Sequence, residues 1–183
     1  MLSGDGAADD SHGWTFFCDS DHAGNSEPNN HRRSQNGYIA LLNGAPVLVT
    51  SKAPSVAYAN AIIGEAHADT SSAAVEIYAA GNATQDLLHL SYCSEEMNVP
   101  FPKPIILQMD NHAAKIFMED TAPNTKLKHI DVRQEWVKVM RDRDLFTAVH
   151  VPGTENLADL FTKILPKAVF QRMRDIILRP IPH

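Results

Sequence analysis

The dipeptide Asn43-Gly44 lies between two short apolar runs, residues 37–42 and 46–51. Both residues tolerate positive φ, which the tight turns joining antiparallel strands require, so this segment predicts a β-hairpin. Upstream, residues 14–18 (Trp-Thr-Phe-Phe-Cys) form an aromatic run that passes straight into acidic and small residues, as a buried strand ending at a loop does. Three antiparallel strands are therefore expected to open the fold. Residues 20–36 turn to Asp, Gly, Asn, Pro and Arg, the chemistry of a loop.

Residues 53–70 carry no clear period, and no element is assigned there. Ser71-Ser72 then precedes Val75, Tyr78, Ala79, Leu87 and Leu90 at helical spacings, which predicts a long helix to about Tyr92 with either serine as N-cap. A Pro-rich linker, 100–104, feeds the apolar strand 105–109, which ends at Asp110. Helices are expected over 111–118, 129–143 and 155–165, with a strand over 145–151 before the last of them. The order reads β-β-β-α-β-α-α-β-α.

A chain of 183 residues with 44% apolar content suits one compact domain. It divides into a lead-in, residues 1–13, rich in Gly, Ala, Asp and Ser; a domain, 14–165; and a tail, 166–183. In the tail, Val169, Met173, Ile176 and Ile177 interleave with basic residues, which suits an amphipathic helix packed on the domain or on a neighbour. The lead-in lacks the basic-then-apolar pattern of a secretory signal, and no apolar run approaches the ~18 residues of a membrane span. The expectation is an intracellular protein with no membrane partner. The two cysteines, Cys18 and Cys93, are too few for a disulfide framework or a cysteine zinc site.

With 16 basic and 22 acidic residues the net charge is −6, so bulk attraction to a polyanion is absent. Any nucleic-acid partner must be met by local basic clusters, such as His31-Arg32-Arg33, Lys126 to Arg133 and the stretch from Lys163 to Arg179, or by metal ions. Asp19, Asp110 and Asp159 stand at strand ends or loop-to-helix junctions, and Glu76 sits a turn into the long helix. In mixed sheets such positions face an open crevice on a rigid backbone. Carboxylate oxygens without a cysteine or histidine cage suit Mg²⁺ or Mn²⁺ rather than zinc.

Several local strings go further. Phe17-Cys18-Asp19-Ser20-Asp21-His22-Ala23-Gly24-Asn25 resembles the first-strand motif of ribonucleases H. Ser71-Ser72-Ala73-Ala74-Val75-Glu76-Ile77-Tyr78-Ala79 resembles the helix motif of the ribonuclease H domains of copia-type LTR retrotransposons, with Ala74 in place of an acidic residue. Met109-Asp110-Asn111, Thr125-Lys126-Leu127-Lys128-His129-Ile130-Asp131 and Asn156-Leu157-Ala158-Asp159-Leu160-Phe161-Thr162-Lys163 are similar to that family's later motifs, in its order, over about residues 14–165.

The resemblance implies a three-layer α/β fold of the ribonuclease H type, a five-stranded mixed sheet flanked by helices. It implies that Asp19, Glu76, Asp110 and Asp159 hold two Mg²⁺ ions, with Mn²⁺ able to substitute, ~3.5–4 Å apart about a scissile phosphate. The activity implied is hydrolysis of the RNA strand of RNA/DNA hybrids, leaving 5′-phosphate ends. His150 stands roughly where cellular ribonucleases H place a loop histidine that helps protons move and product leave. Asn25, Ser71, Ser72 and Asn111 are the candidates for reading RNA 2′-hydroxyls. His22 and His112 flank proposed ligands, while Glu65, His67 and Asp69 have no counterpart in the family pattern.

Implied partners are an RNA/DNA hybrid and a reverse transcriptase polymerase domain. The implied setting is the cytoplasm, within a virus-like particle, or the nucleus. No Tyr-X-Asp-Asp polymerase string occurs. The alternative is a catalytically inactive hybrid-binding or polymerase-tethering module of the same fold, which the presence of all four carboxylates disfavours.

Overall fold

The computed structural model describes residues 13–21, 35–53, 68–112 and 132–178, with side chains from residue 75 in the first helix and from residue 136 in the second. The elements are β1 (Trp14–Asp21), β2 (Gln35–Leu42), β3 (Ala45–Lys52), α1 (Ala68–Glu96), β4 (Ile105–Met109), α2 (Val132–Asp142), β5 (Phe146–His150), a 3-10 helix (Leu157–Phe161) and α3 (Lys167–Ile177). The strands form one five-stranded sheet in the order β3-β2-β1-β4-β5. The pairs β1–β2 and β2–β3 are antiparallel, while β1–β4 and β4–β5 are parallel. The expected mixed sheet with three antiparallel leading strands is what the chain forms.

The hairpin turns where the sequence placed it, with Asn43 at φ 52° and Gly44 at φ 80°. Alternation along β1 then sorts side chains to two faces. Trp14, Phe16 and Cys18 join Tyr38, Ala40, Ile77, Leu87, Leu107, Val137 and Phe146 in the core beneath α1 and α2. Phe17 faces the other way and meets Ile39, Leu41, Leu157, Met173 and Ile177 beneath the 3-10 helix and α3. Helix α1 lies close on the sheet because Ala79, Ala80 and Ala83 are small there, and beyond Ala83 it buries one stripe: Thr84, Leu87, Ser91 and Ser94.

Three sequence expectations need correction. Strand β1 does not stop at Cys18; Asp19, Ser20 and Asp21 pair with Gly37, Asn36 and Gln35, because β2 starts early enough to hold a polar continuation. Helix α1 starts at Ala68, so Ser71 and Ser72 fall inside its first turns and neither is the N-cap. The helix expected over 155–165 is a 3-10 helix of five residues. Its next apolar position, Ile164, is 84% exposed, and Pro166 disfavours helical geometry at Leu165, so nothing extends the helix. The short helix expected over 111–118 lies almost wholly outside the described residues.

Candidate metal centre

Because β1, β4 and β5 run parallel, their carboxyl ends meet one edge of the sheet. That edge receives Asp19 within the polar end of β1, Asp110 directly after β4, and His150 as the last residue of β5. The buried stretch of α1 that begins at Val75 supplies Glu76. Carboxylate oxygens of Asp19, Glu76 and Asp110 all lie within 4.8 Å of one another. Asp19 is fully buried, Glu76 is 4% exposed, and Asp110 is half-buried. The loop after β5 approaches so closely that a Cβ on Gly153 would stand 3.0 Å from Asp110 Oδ2.

The fourth acid arrives from the opposite face. Asn156 caps the 3-10 helix by accepting the Ala158 N–H, and its fully buried amide donates to the Cys18 carbonyl at 3.0 Å, which fixes the segment to β1. Gly37, paired with Asp19, lets the segment sit against β2, since a Cβ there would come within 2.7 Å of Thr162 Cγ2. Thr162 Oγ1 donates to Asp19 Oδ2. Lys163 Nζ lies 3.1 Å from Asp19 Oδ1, 2.8 Å from Asp159 Oδ1 and 3.5 Å from Asp110 Oδ2. Asp159 is thus tied to the other acids through Lys163 and is not one of the three within 4.8 Å.

Burial and crowding act on every charge here. Burial pushes the Asp19 carboxyl up to about 6, against the pull of Lys163 and the Thr162 hydroxyl. Burial raises Glu76 well above the usual carboxylate range, and the charges of Asp19 and Asp110 add to it. Asp159 is also raised by burial, although Lys163 counters this. Burial works against the Lys163 ammonium, but its hydrogen bond to Asp159 and the charges of Asp19 and Asp110 outweigh that and raise it above the ordinary lysine value. Among the described residues, four carboxylates gather about one ammonium, an excess of acidic groups that a cation would relieve.

The donor set fits a hard divalent ion. Glu76 accepts the Ser20 backbone N–H, yet its Oε2 is buried without a hydrogen-bond partner. A native structure rarely leaves such an acceptor bare, and an ion would satisfy it. Cys18, buried beside the cluster, is held as a neutral thiol, raised by burial and then by Glu76, so it offers no thiolate ligand.

Of the remaining candidates, His150 is exposed, and its Nε2 lies 3.1 Å from the Asp110 carbonyl, to which it donates. The His150 and His112 rings meet edge to face at 5.4 Å. Asn111 directly follows Asp110 at the same edge and is half-buried. Ser71 and Ser72 are on α1 upstream of Glu76. Asn25, His22, Glu65 and His67 lie outside the described residues, as does the basic cluster His31-Arg32-Arg33. The sequence reading missed Asn156, Thr162 and Lys163 as site residues, although all three belong to a string it singled out.

No protein-family model matches the chain. The chain is 23% identical over 161 residues to the retrovirus-related Pol polyprotein from transposon TNT 1-94 of Nicotiana tabacum, covering 88% of this chain and 11% of that protein. It is 24% identical over 155 residues to the Pol polyprotein from transposon RE2 of Arabidopsis thaliana, covering 85% and 10%. It therefore spans only about a tenth of the length of the curated relatives it matches. Among solved structures, a ribonuclease H1 isolated from compost by a metagenomic approach superposes with TM-score 0.53 at 15% identity, over 82% of this chain and 93% of that one. The N-terminal ribonuclease H domain of a Mycobacterium tuberculosis protein superposes with TM-score 0.50 at 12% identity, over 87% and 96%. The kinship read from the motifs and the expected fold are both borne out: the chain has the ribonuclease H fold, and its relatives are Pol polyproteins of plant transposons.

Proposed function

We propose that this chain is the ribonuclease H part of a retrotransposon Pol polyprotein, hydrolysing the RNA strand of RNA/DNA hybrids with divalent metal ions. The observation that carries the reading is the meeting of Asp19, Glu76 and Asp110 within 4.8 Å at the edge where the parallel strands end, with Glu76 Oε2 left unpartnered. The related compost enzyme has been crystallised in complex with an RNA/DNA hybrid, which supports the substrate class.

Asp19, Glu76 and Asp110 would hold the ions, with Asp159 as the more loosely placed fourth ligand. When bound, two such ions activate a water for in-line attack on a phosphate and stabilise the leaving oxygen. The protein's part is positional. The buried Asp19 cannot swing away, because Thr162 and Asn156 clamp its strand and its carboxylate. His150 is fixed beside Asp110 and exposed to solvent, where it can take up or release a proton as product leaves. Asn25, Ser71, Ser72 and Asn111 are our candidates for contacts to 2′-hydroxyls. A polymerase domain of the same polyprotein is the proposed protein partner.

The test is cleavage of an end-labelled hybrid beside duplex DNA and duplex RNA, in Mg²⁺, in Mn²⁺ and in EDTA. The expected result is cutting of the RNA strand of the hybrid alone, abolished by EDTA. Cleavage that survives chelation, or none in either metal, overturns the reading.

A further inference from the structure

We propose that Lys163 is a built-in counter-ion of the metal centre: its ammonium holds Asp19, Asp110 and Asp159 together in the absence of an ion, and a divalent ion binds in competition with it. The inference rests on the reading that these carboxylates bind such an ion. It follows from how the oxygens of Asp19 are used. One dipeptide, Thr162-Lys163, takes both of them, the hydroxyl at Oδ2 and the ammonium at Oδ1. An ion that uses Asp19 must therefore share or displace one of these two donors.

The ammonium also reaches Asp159 Oδ1 and Asp110 Oδ2, but Glu76 is not among its ion-pair partners. The cluster thus has two sides. On one, Lys163 satisfies three acids; on the other, Glu76 Oε2 is bare. Lys163 is only half-buried and sits on a flexible stem, so it can yield its contacts without moving the backbone. Its place is nevertheless set locally: the Lys163 N–H donates to the Asp159 carbonyl at 3.0 Å, and the i,i+4 spacing points its side chain along that of Asp159.

Two cations that contact the same carboxylates weaken each other's binding, and the weakening is reciprocal. Lys163 therefore lowers ion affinity while it protects the empty centre from the repulsion of its own acids. It is a positioning residue, acting through the ligands rather than on the substrate.

The experiment measures Mg²⁺ and Mn²⁺ binding by calorimetry without nucleic acid, and melting in EDTA and in saturating Mn²⁺, for the wild type, K163M and K163R. For K163M the expected results are an ion affinity raised on the order of tenfold, a lower melting temperature in EDTA, and a larger rise when Mn²⁺ is added. K163R keeps the charge but not the shape, and its ion affinity is expected to stay nearer that of the wild type than K163M's does. If K163M does not remain folded in EDTA, K163Q is titrated in its place. Unchanged or weaker ion binding by the uncharged variant overturns the proposal, as does K163R behaving like K163M. If the wild type binds ions and cleaves hybrid while K163M binds no tighter, the counter-ion role alone fails. A wild type that binds no ion removes the functional reading together with the role.

Discussion

The two faces of the sheet are built differently. One is covered by a 29-residue helix and by α2, over a continuous apolar core running from Trp14 to Ala148. The other is covered by a five-residue 3-10 helix and α3, over a smaller cluster ending at Met173 and Ile177. The thick face delivers a single acid, Glu76, on a helix whose position is set by close packing. The thin face delivers Asp159, Thr162 and Lys163 on a short segment anchored by buried Leu157 and Ala158, by Asn156 to Cys18 and Ser51 to the Phe161 carbonyl, and by the close approach that Gly37 allows. The larger apolar core lies on one side of the sheet, and most of the groups that contact Asp19 at the candidate site come from the other.

The largest effects should come from the acids where the faces meet. Asp110→Asn or Glu76→Gln should each lower single-turnover hybrid cleavage by more than about a hundredfold, beyond what outer partners of metal ligands usually cost. Asp159→Asn, on the thin face, should lose less and regain part of its activity in Mn²⁺. An Asp159 loss equal to that of Asp110 would break the distinction between the faces.

Next come the cores. Leu87→Ala and Met173→Ala should each cost about 3 kcal/mol in urea melts, since both side chains are almost wholly buried. Under conditions where both variants remain folded, only Met173→Ala should change ion affinity, because only it loosens the support of Lys163. Equal ion binding by the two would show that the thin face does not tune the centre.

Asn156→Ala should cost about 2 kcal/mol, leaving the Cys18 carbonyl without its buried donor and the Ala158 N–H without its cap. Thermal melts combined with ion titration test whether, as expected, ion affinity changes along with stability.

The smallest effect concerns pH in ion-free protein. Glu76 is raised in the folded state from an ordinary value of 4.5, so its contribution to stability is complete below that value and is lost as pH climbs through the folded one. Gln at this position does not titrate. The melting temperature of Glu76→Gln relative to the wild type in EDTA should therefore rise as the pH is raised above the ordinary value of 4.5. A difference that shrinks over this range would mean that Glu76 is not raised.

Legibility in the sequence follows the range of the interactions. The hairpin was readable because Asn43-Gly44 is a local signal, and β4 because an apolar run between Pro104 and Asp110 has few alternatives. The carboxylates could be nominated from local strings. The polar end of β1 read as loop because Asp-Ser-Asp has strand geometry only when Gln35, Asn36 and Gly37 are there to pair with it. Thr162 and Lys163 looked like the tail of a motif, since their partner Asp19 lies 143 and 144 positions away. Helical spacing at Leu157, Leu160, Phe161 and Ile164 could not reveal that Ile164 would find nothing to cover it.

The clamp between β1 and Thr162-Lys163 also has a consequence in time. During synthesis Asp19 is added first, and the lysine that contacts it follows 144 residues later. Until then the nascent chain can assemble the hairpin and lay α1 on β1 and β2, but it has neither Asp159 nor the segment that closes over Asp19. A site ordered this way is not closed while the chain is still being made. Its four acids are brought together only once the last strand and the 3-10 helix have been translated and docked, so the order of residues along the chain delays closure over Asp19 until the fold is nearly whole.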